Sequence, residues 1–508
     1  MSQQTNTLQP KSISRIAIYG AGIAAKQAAL ALNEALNFEV ELVLIMPQQP
    51  CLSDVLYGGV ASTESYNMNL NMGLSEPELF LQTNTCFSFG SYYSDWGPAK
   101  KNWLQCHHLP FPKDNAVDFH HLMTRHNVKL TDYLISAIAA REGKFAHPPV
   151  ENPASPLSRA EYGYYFNHQE VNLLLSSKLQ SSKIRVVEAR LNEVVLNDTC
   201  IDKLVLDSGE IISADLYIDG SGVDGELISQ LSQKKTILRS VKVNYSEQNK
   251  QAPNITCRKV TPVNDGWQAV TPLRDKVNIL SLMSCDTEFA TNENGAFIED
   301  SQGIHCNKVD LGYRPFAWLG NCVSLGHAAC TIEPLSPAPM KLLSSDLSRL
   351  LELIPVDTNM ALERQEYNRR FINDVIHAEL FNKAFYDFRI SINDDDESMA
   401  TISQLLTPFW QYGMNKSPLL DRKIIQFLHR GKLVSYDLEP FNQEDWTILH
   451  SGIGRLPDKY DRLAEIIDSK KMIAKLDKMK AGLAHFVSKM PPQQLYITKL
   501  LQYLKDKA

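Results

Sequence analysis

The chain has 508 residues, 51 basic and 58 acidic, and a formal net charge of −7. With 44% hydrophobic and 21% charged residues it reads as a globular chain with a large core, of about three lobes by length. The acidic balance argues against a dedicated nucleic-acid binder, no run approaches the ~20 apolar residues of a membrane span, and Met1–Arg15 lacks the apolar core of a secretion signal. The nine cysteines include no Cys-x-x-Cys pair, the usage of reduced thiols in a cytoplasmic enzyme.

Arg15-Ile-Ala-Ile-Tyr-Gly20 is a short apolar run ending in glycine. Ala21-Gly22-Ile23-Ala24-Ala25 follows, then a helical stretch from Lys26 to about Leu36 and a second apolar run, Val40–Ile45. Strand, glycine turn, helix and strand within ~30 residues are the pattern of a nucleotide-binding βαβ unit. Gly20 permits the tight turn, Gly22 lets backbone approach a pyrophosphate at the helix N-terminus, and Ala25 is small enough for the third glycine position. The acid that normally binds the adenosine ribose at the end of the second strand is replaced by Met46, so ribose recognition is weaker or comes from another group.

From about 53 to 163 the periodicity is weak, and the stretch reads as an excursion inserted into the first module. Regular structure resumes with a helix near 168–179 and several strands. One of these, Ala214–Asp219, runs into Gly220-Ser221-Gly222, and Cys322–Leu325 runs into Gly326-His327-Ala328-Ala329. Three glycine elements in this order suit the adenosine, pyrophosphate and ribityl parts of FAD. An NAD-only dehydrogenase has no need of the third. After about 341 the spacing is helical over 342–353, 359–386 and 460–490, with Leu463, Ile466, Ile467, Ile473, Leu476, Leu483 and Phe486 as the expected buried stripe of the last. The expected fold is α/β: an FAD-binding, Rossmann-like module of the aromatic-hydroxylase type over 10–345, and a helical substrate lobe over 346–508.

Further stretches carry a family resemblance: Asn84-Thr-Cys-Phe87 with Trp96, Gly266-Trp267 with Pro272, Ile332-Glu-Pro-Leu335, Thr407-Pro-Phe-Trp410 and Gly452-Ile-Gly-Arg-Leu-Pro-Asp458. Together with the glycine elements they make the chain resemble the flavin-dependent tryptophan halogenases nearly end to end. The resemblance implies FAD as cofactor, a separate flavin reductase, a small aromatic substrate, and a tunnel from flavin to substrate. It implies FAD contacts at Gly20, Ala21, Gly22, Ile23, Ala24, Ala25, Asp219, Gly220, Gly222, Gly326, His327, Glu333 and Met340. Trp267, Trp410 and Trp446 are implied as an aromatic substrate cage, although buried Trp is often only core.

The family's catalytic positions are substituted. Its lysine falls at Ser88 and its second glutamate at Ser336, while the residues lining the halide site read Pro337-Ala338-Pro339. Proline removes a backbone donor. Ala269 replaces a tryptophan of the wall, which suggests space for direct approach of a substrate. The expected activity is therefore an FAD-dependent oxygenase acting on an indole or another aromatic. A halogenase with substituted residues and a non-catalytic flavin- or ligand-binding scaffold are the alternatives. No metal is expected: His107, His108, His120, His121 and His126 lack zinc spacing, and Asp394–Glu397 reads as a solvated acidic loop. A homodimer is compatible with the sequence.

Overall fold

Three parallel strands end in glycine at the same edge of one sheet, and this edge organises the molecule. The computed structural model describes residues 11–36, 40–107, 117–149, 151–231, 234–249, 257–285, 296–390, 397, 406–415 and 417–507. The first sheet contains β1 (Arg15–Tyr19), β2 (Glu41–Met46), β3 (Arg185–Glu188), β4 (Leu216–Asp219), β5 (Trp318–Leu319) and β6 (Cys322–Ser324), in the order β5-β6-β4-β1-β2-β3. All neighbours are parallel except β5 and β6. Ile16, Ala17, Ile18 and Leu42–Ile45 are buried, as expected of parallel strands covered on both faces.

Between β1 and β2 lies α1 (Ile23–Ala35), whose Ala24, Ala25, Ala28 and Ala29 are buried. A run of alanines lets the helix sit close to the sheet. A second, mostly antiparallel sheet is built from strands between Gly90 and Tyr313; Gly90–Trp96 joins Arg258–Val263 in parallel. Of the later helices, α2 (Ala338–Glu352) packs on α1 and on α3 (Ala361–Ala384), α4 (Gln443–Ile453) packs on the strand Lys101–Cys106 of this sheet, and α5 (Ser469–Lys489) packs on the helix Ile135–Arg141. This is the mixed α/β architecture with a Rossmann-like sheet and helical lobe that the glycine elements and the 3–4 spacing predict. The expected division at 345 falls inside α2.

The predicted helix over 460–490 is corrected to a 3-10 turn, Arg462–Ile466, and α5. Asp468 breaks it, because its side chain accepts from the Lys471 amide at 2.8 Å and starts the helix anew. The stripe changes with it: Leu463, Ile466 and Ile473 are 46%, 79% and 48% exposed, whereas Leu476 is buried. His108 and Asp394–Asp396 lie outside the described residues. No helix among the described residues is long and apolar enough to cross a membrane.

Candidate functional site

At the carboxyl edge of the first sheet, Tyr19, Asp219 and Ser324 stand side by side in register. The chain then turns through Gly20, Gly220 and Gly326, so elements some 200 and 100 residues apart meet at one crevice, the usual ligand position of open α/β sheets. Gly20 has φ +141°, and a Cβ there would collide with the Gly220 backbone. Gly22 is the N-cap of α1; a Cβ on it would lie 2.8 Å from Asp54 Oδ1 and 2.9 Å from Cys51 Cβ. Gly222, at φ +85°, faces Ser53 and, at 2.9 Å from its ideal Cβ, Cys51 Sγ.

The neighbours of Gly22 and Gly222 come from one segment, Cys51 and the 3-10 turn Leu52–Tyr57. Asp54 accepts from the Ile23 amide at 3.0 Å and from Asn172 Nδ2 at 2.8 Å. Burial pushes its carboxyl up to about 7, although the Ile23 amide, Lys26 and Cys51 pull the other way. Tyr57 stacks on His327 with ring centroids 4.1 Å apart. His327 is buried, which lowers its pKa to about 3 and keeps it neutral. Segment 51–57 thus touches all three glycine elements. Beside it, a cavity of about 500 Å³ opens at the ends of β1, β2 and β3, lined by Ala21, Lys26, Met46, Pro47, Asn172 and Glu188 among others. The glycine cradle and this cavity fit a dinucleotide, whose pyrophosphate would have to displace segment 51–57.

Ile23, Ala24 and Ala25 form the buried first turn of α1. Asp219 also has a structural role. Its buried carboxylate accepts from Ser221 N and Oγ at 3.0 and 2.6 Å, and from Leu227 N and Ile228 N at 2.9 and 2.8 Å. These bonds hold the turn after β4 beside the glycine crevice. The Gly326 amide donates to Asp346 on α2 at 3.0 Å. Met340 lies buried in the first turn of α2.

Glu333 is the centre of a buried polar cluster. Its carboxylate accepts from Trp267 Nε1, the Tyr386 hydroxyl and Arg239. The Arg239 guanidinium lies over Phe409 and Tyr412, at 4.5 and 4.3 Å from the ring centroids. Arg258, fully buried, donates to the carbonyls of Pro334 at 2.6 Å and Leu335 at 2.9 Å. The Glu333-Pro334-Leu335 turn is held from both sides.

Ser88 ends the strand Cys86–Ser88 and is fully buried. Its Oγ accepts from the Gly90 amide at 3.1 Å and lies 3.3 Å from His107 Nε2. Pairing of Gly90 with Cys106 in adjacent strands brings these distant residues together. His107, with Gly90, Ser91, Gln105, Pro337, Phe381, Phe441 and Asp445, lines a chamber of about 20 Å³, room for roughly one water. Burial lowers the His107 pKa to about 4, so the imidazole is neutral at pH 7. Ser336 donates to Asn382 at 2.7 Å and accepts from the Ala338 amide at 3.3 Å. With proline at 337 and 339, residues 337–339 therefore present no spare amide to an anion.

The three tryptophans do not form one cage. Trp267 binds Glu333, and Trp410 packs on Trp96 and Tyr386 at 5.0 and 5.6 Å. Trp446 packs on Phe381 and His450. Ala269 is fully buried in its strand, between Val260 and Leu280, so packing leaves no open space at the position where the resemblance implies an indole. Among the described residues no group of three His, Cys, Asp or Glu side chains could hold a metal. His120 contacts the Gly431 carbonyl at 2.8 Å, and His121 accepts from the Asp461 amide at 3.3 Å. Sequence reasoning missed Asp54, Tyr57, Glu188 and the role of His107. Only the last carried a signal, as one of a cluster of histidines.

A family profile described as tryptophan halogenase matches residues 15–469. Tryptophan 7-halogenase RebH of Lentzea aerocolonigenes is 23% identical over 396 residues, 70% of this chain and 73% of its own. Among solved structures, BrvH, a flavin-dependent halogenase from Brevundimonas sp. BAL3, superposes with a TM-score of 0.82 at 22% identity, covering 96% of this chain and 99% of that one. Xcc4156, a flavin-dependent halogenase from Xanthomonas campestris, gives 0.83 at 19% identity, covering 96% and 98%.

Proposed function

This chain belongs to the tryptophan halogenase family, and we propose that within it the protein is an FAD-dependent oxygenase of an indole or another electron-rich aromatic. Membership makes it a flavin-dependent enzyme with FAD as cofactor. The proposal adds that a separate flavin reductase supplies reduced FAD, that no halide is consumed, and that the protein works in the cytoplasm, alone or as a homodimer.

One observation carries the choice of oxygen over halogen. The lysine position is Ser88, its hydroxyl held between the Gly90 amide and His107, and the turn at 337–339 presents no spare amide. A hydroxyl cannot act as the amine nucleophile of a halogen relay, and an anion without donors is not held. Reduced flavin with dioxygen supplies the oxidising equivalent. The residues of the chain position the substrate and move its proton. Neutral His107 is able to accept the proton released when a ring carbon is substituted, with the Ser88 hydroxyl beside it as the relay. Phe381 and Phe441 exclude water, and Gln105, tied through its Nε2 to the Asp445 carbonyl at 2.9 Å, leaves its wall rigid. A chamber of about 20 Å³ admits an aromatic ring only when a wall side chain moves.

A second reading, halogenation with substituted residues, draws on Lys341. Its ammonium pairs with Glu64 and lies 5.6 Å from the centre of the ring of Phe441, a wall residue of the chamber, while Lys341 itself lines a different cavity of about 400 Å³. Mass spectrometry of an indole and phenol panel, with reduced FAD, oxygen and either bromide or chloride, decides between them. A product heavier by one oxygen, formed at a rate indifferent to halide, is expected. A halogenated product whose rate rises with bromide would establish the second reading. No product with any aromatic would leave a flavin-binding scaffold.

A further inference from the structure

The second strand of the nucleotide-binding unit ends in Met46, a thioether where a ribose needs a strong acceptor. Met46 stands directly beside Glu188, the last residue of β3, in the parallel register of the two strands. Both side chains line the cavity of about 500 Å³, and Glu188 is the one acid among its lining residues. Neighbouring strands are ~4.8 Å apart, so the carboxylate has moved sideways by one strand and remains at the carboxyl edge of the sheet. Glu188 is exposed, so its carboxylate is open to a ligand in the cavity.

We propose that Glu188 is the ribose-binding acid of this protein, accepting hydrogen bonds from the adenosine hydroxyls of FAD. The inference rests on the FAD reading above. The geometry fits it: Ala21, at the glycine turn, and Glu188 face the same cavity, so a pyrophosphate at α1 would put its ribose between Met46 and β3. A ribose diol offers two O–H donors, and one carboxylate has acceptors for both. A phosphorylated ribose is disfavoured there, because its charge would meet that of Glu188.

Titration of the purified protein with FAD, ADP and FMN tests this, since ADP carries the adenosine ribose and FMN lacks it. E188A is expected to weaken FAD and ADP by about 10-fold or more, the scale of a charge-assisted hydrogen bond, and to leave FMN unchanged. Adding M46E to E188A, which restores the acid on the adjacent strand, is expected to recover most of the loss. Equal melting temperatures of the ligand-free variants exclude a folding defect. FAD and ADP affinities of E188A within twofold of the parent would overturn the assignment, as would an equal loss of FMN. A parent that bound neither FAD nor ADP would overturn the FAD reading itself, and this inference with it.

Discussion

The Asp54 carboxylate accepts the Ile23 amide at 3.0 Å, which puts a protein side chain on the first turn of α1, where a dinucleotide fold receives its pyrophosphate. The same helix end attracts either anion, so the side chain and the cofactor compete for it. The outcome depends on the charge of Asp54, and burial holds that carboxyl up to about 7.

FAD affinity is therefore expected to fall as pH rises through about 7, because ionised Asp54 repels the pyrophosphate and keeps its own hold on the helix. The loss approaches but does not exceed tenfold per pH unit, the limit for one proton. D54N should bind FAD more tightly at pH 8 and flatten the profile, as read by flavin fluorescence between pH 6 and 8.5. The stability of the cofactor-free protein has the same sign. A carboxyl raised from 3.8 to about 7 on folding contributes fully below 3.8 and loses that contribution as pH rises through about 7. Melting curves of D54N should lack this slope.

Gly22 and Gly222 are expected to tolerate no side chain. G22A would press a methyl against Asp54 and Cys51, and overpacking of this kind costs ~1–3 kcal/mol. FAD titration of G22A should show strong loss, and G22D complete loss. The control is Gly482 in α5, where an added Cβ meets nothing within 4 Å. G482A should stabilise by up to ~1 kcal/mol and leave FAD binding unchanged.

Removal of Glu333 would leave the Arg239 guanidinium, only 12% exposed, without its carboxylate partner. E333A is expected to destabilise by ~3–5 kcal/mol, measured by urea denaturation. The double variant E333A/R239M should lose much less than the sum of its parts, since no buried charge is then unpaired. Additive losses would mean that the pair is not coupled.

His107 is held down to about 4 by burial. The oxygenase rate should therefore be independent of this group from pH 6 to 8 and fall only as pH drops toward 4, where the imidazole becomes protonated. H107Q should lower kcat by ~10²–10⁴-fold, with a much smaller change in KM. S88K alone should give no halogenated product, because Pro337 and Pro339 still withhold the amide donors.

NADPH without a reductase is expected to leave bound flavin oxidised under anaerobic conditions, and addition of a flavin reductase should bleach it. Rapid bleaching by NADPH alone would make the protein self-sufficient.

The βαβ unit and the glycine elements were legible in the sequence because each is local. A short apolar run, a residue required to adopt φ near +141° or +85°, and a helix with small residues on its buried face all follow from neighbours in the chain. The identities Ser88, Ser336 and Pro337–Pro339, at positions where the resemblance implies other residues, are also read directly from the chain. Tertiary structure alone decided what surrounds them. Nothing local announces that Asp54 would cap α1, that Tyr57 would stack on His327, or that Ser88 would meet His107 through strand pairing. Nor does anything local announce the four internal hydrogen bonds by which Asp219 holds the turn after β4. The predicted stripe over 463–486 failed for a related reason: the capping bond of Asp468 outweighs helical periodicity and turns Leu463 and Ile466 outward. Sequence determines which groups are available. Long-range packing determines which of them are already engaged with the protein and which are left for a ligand.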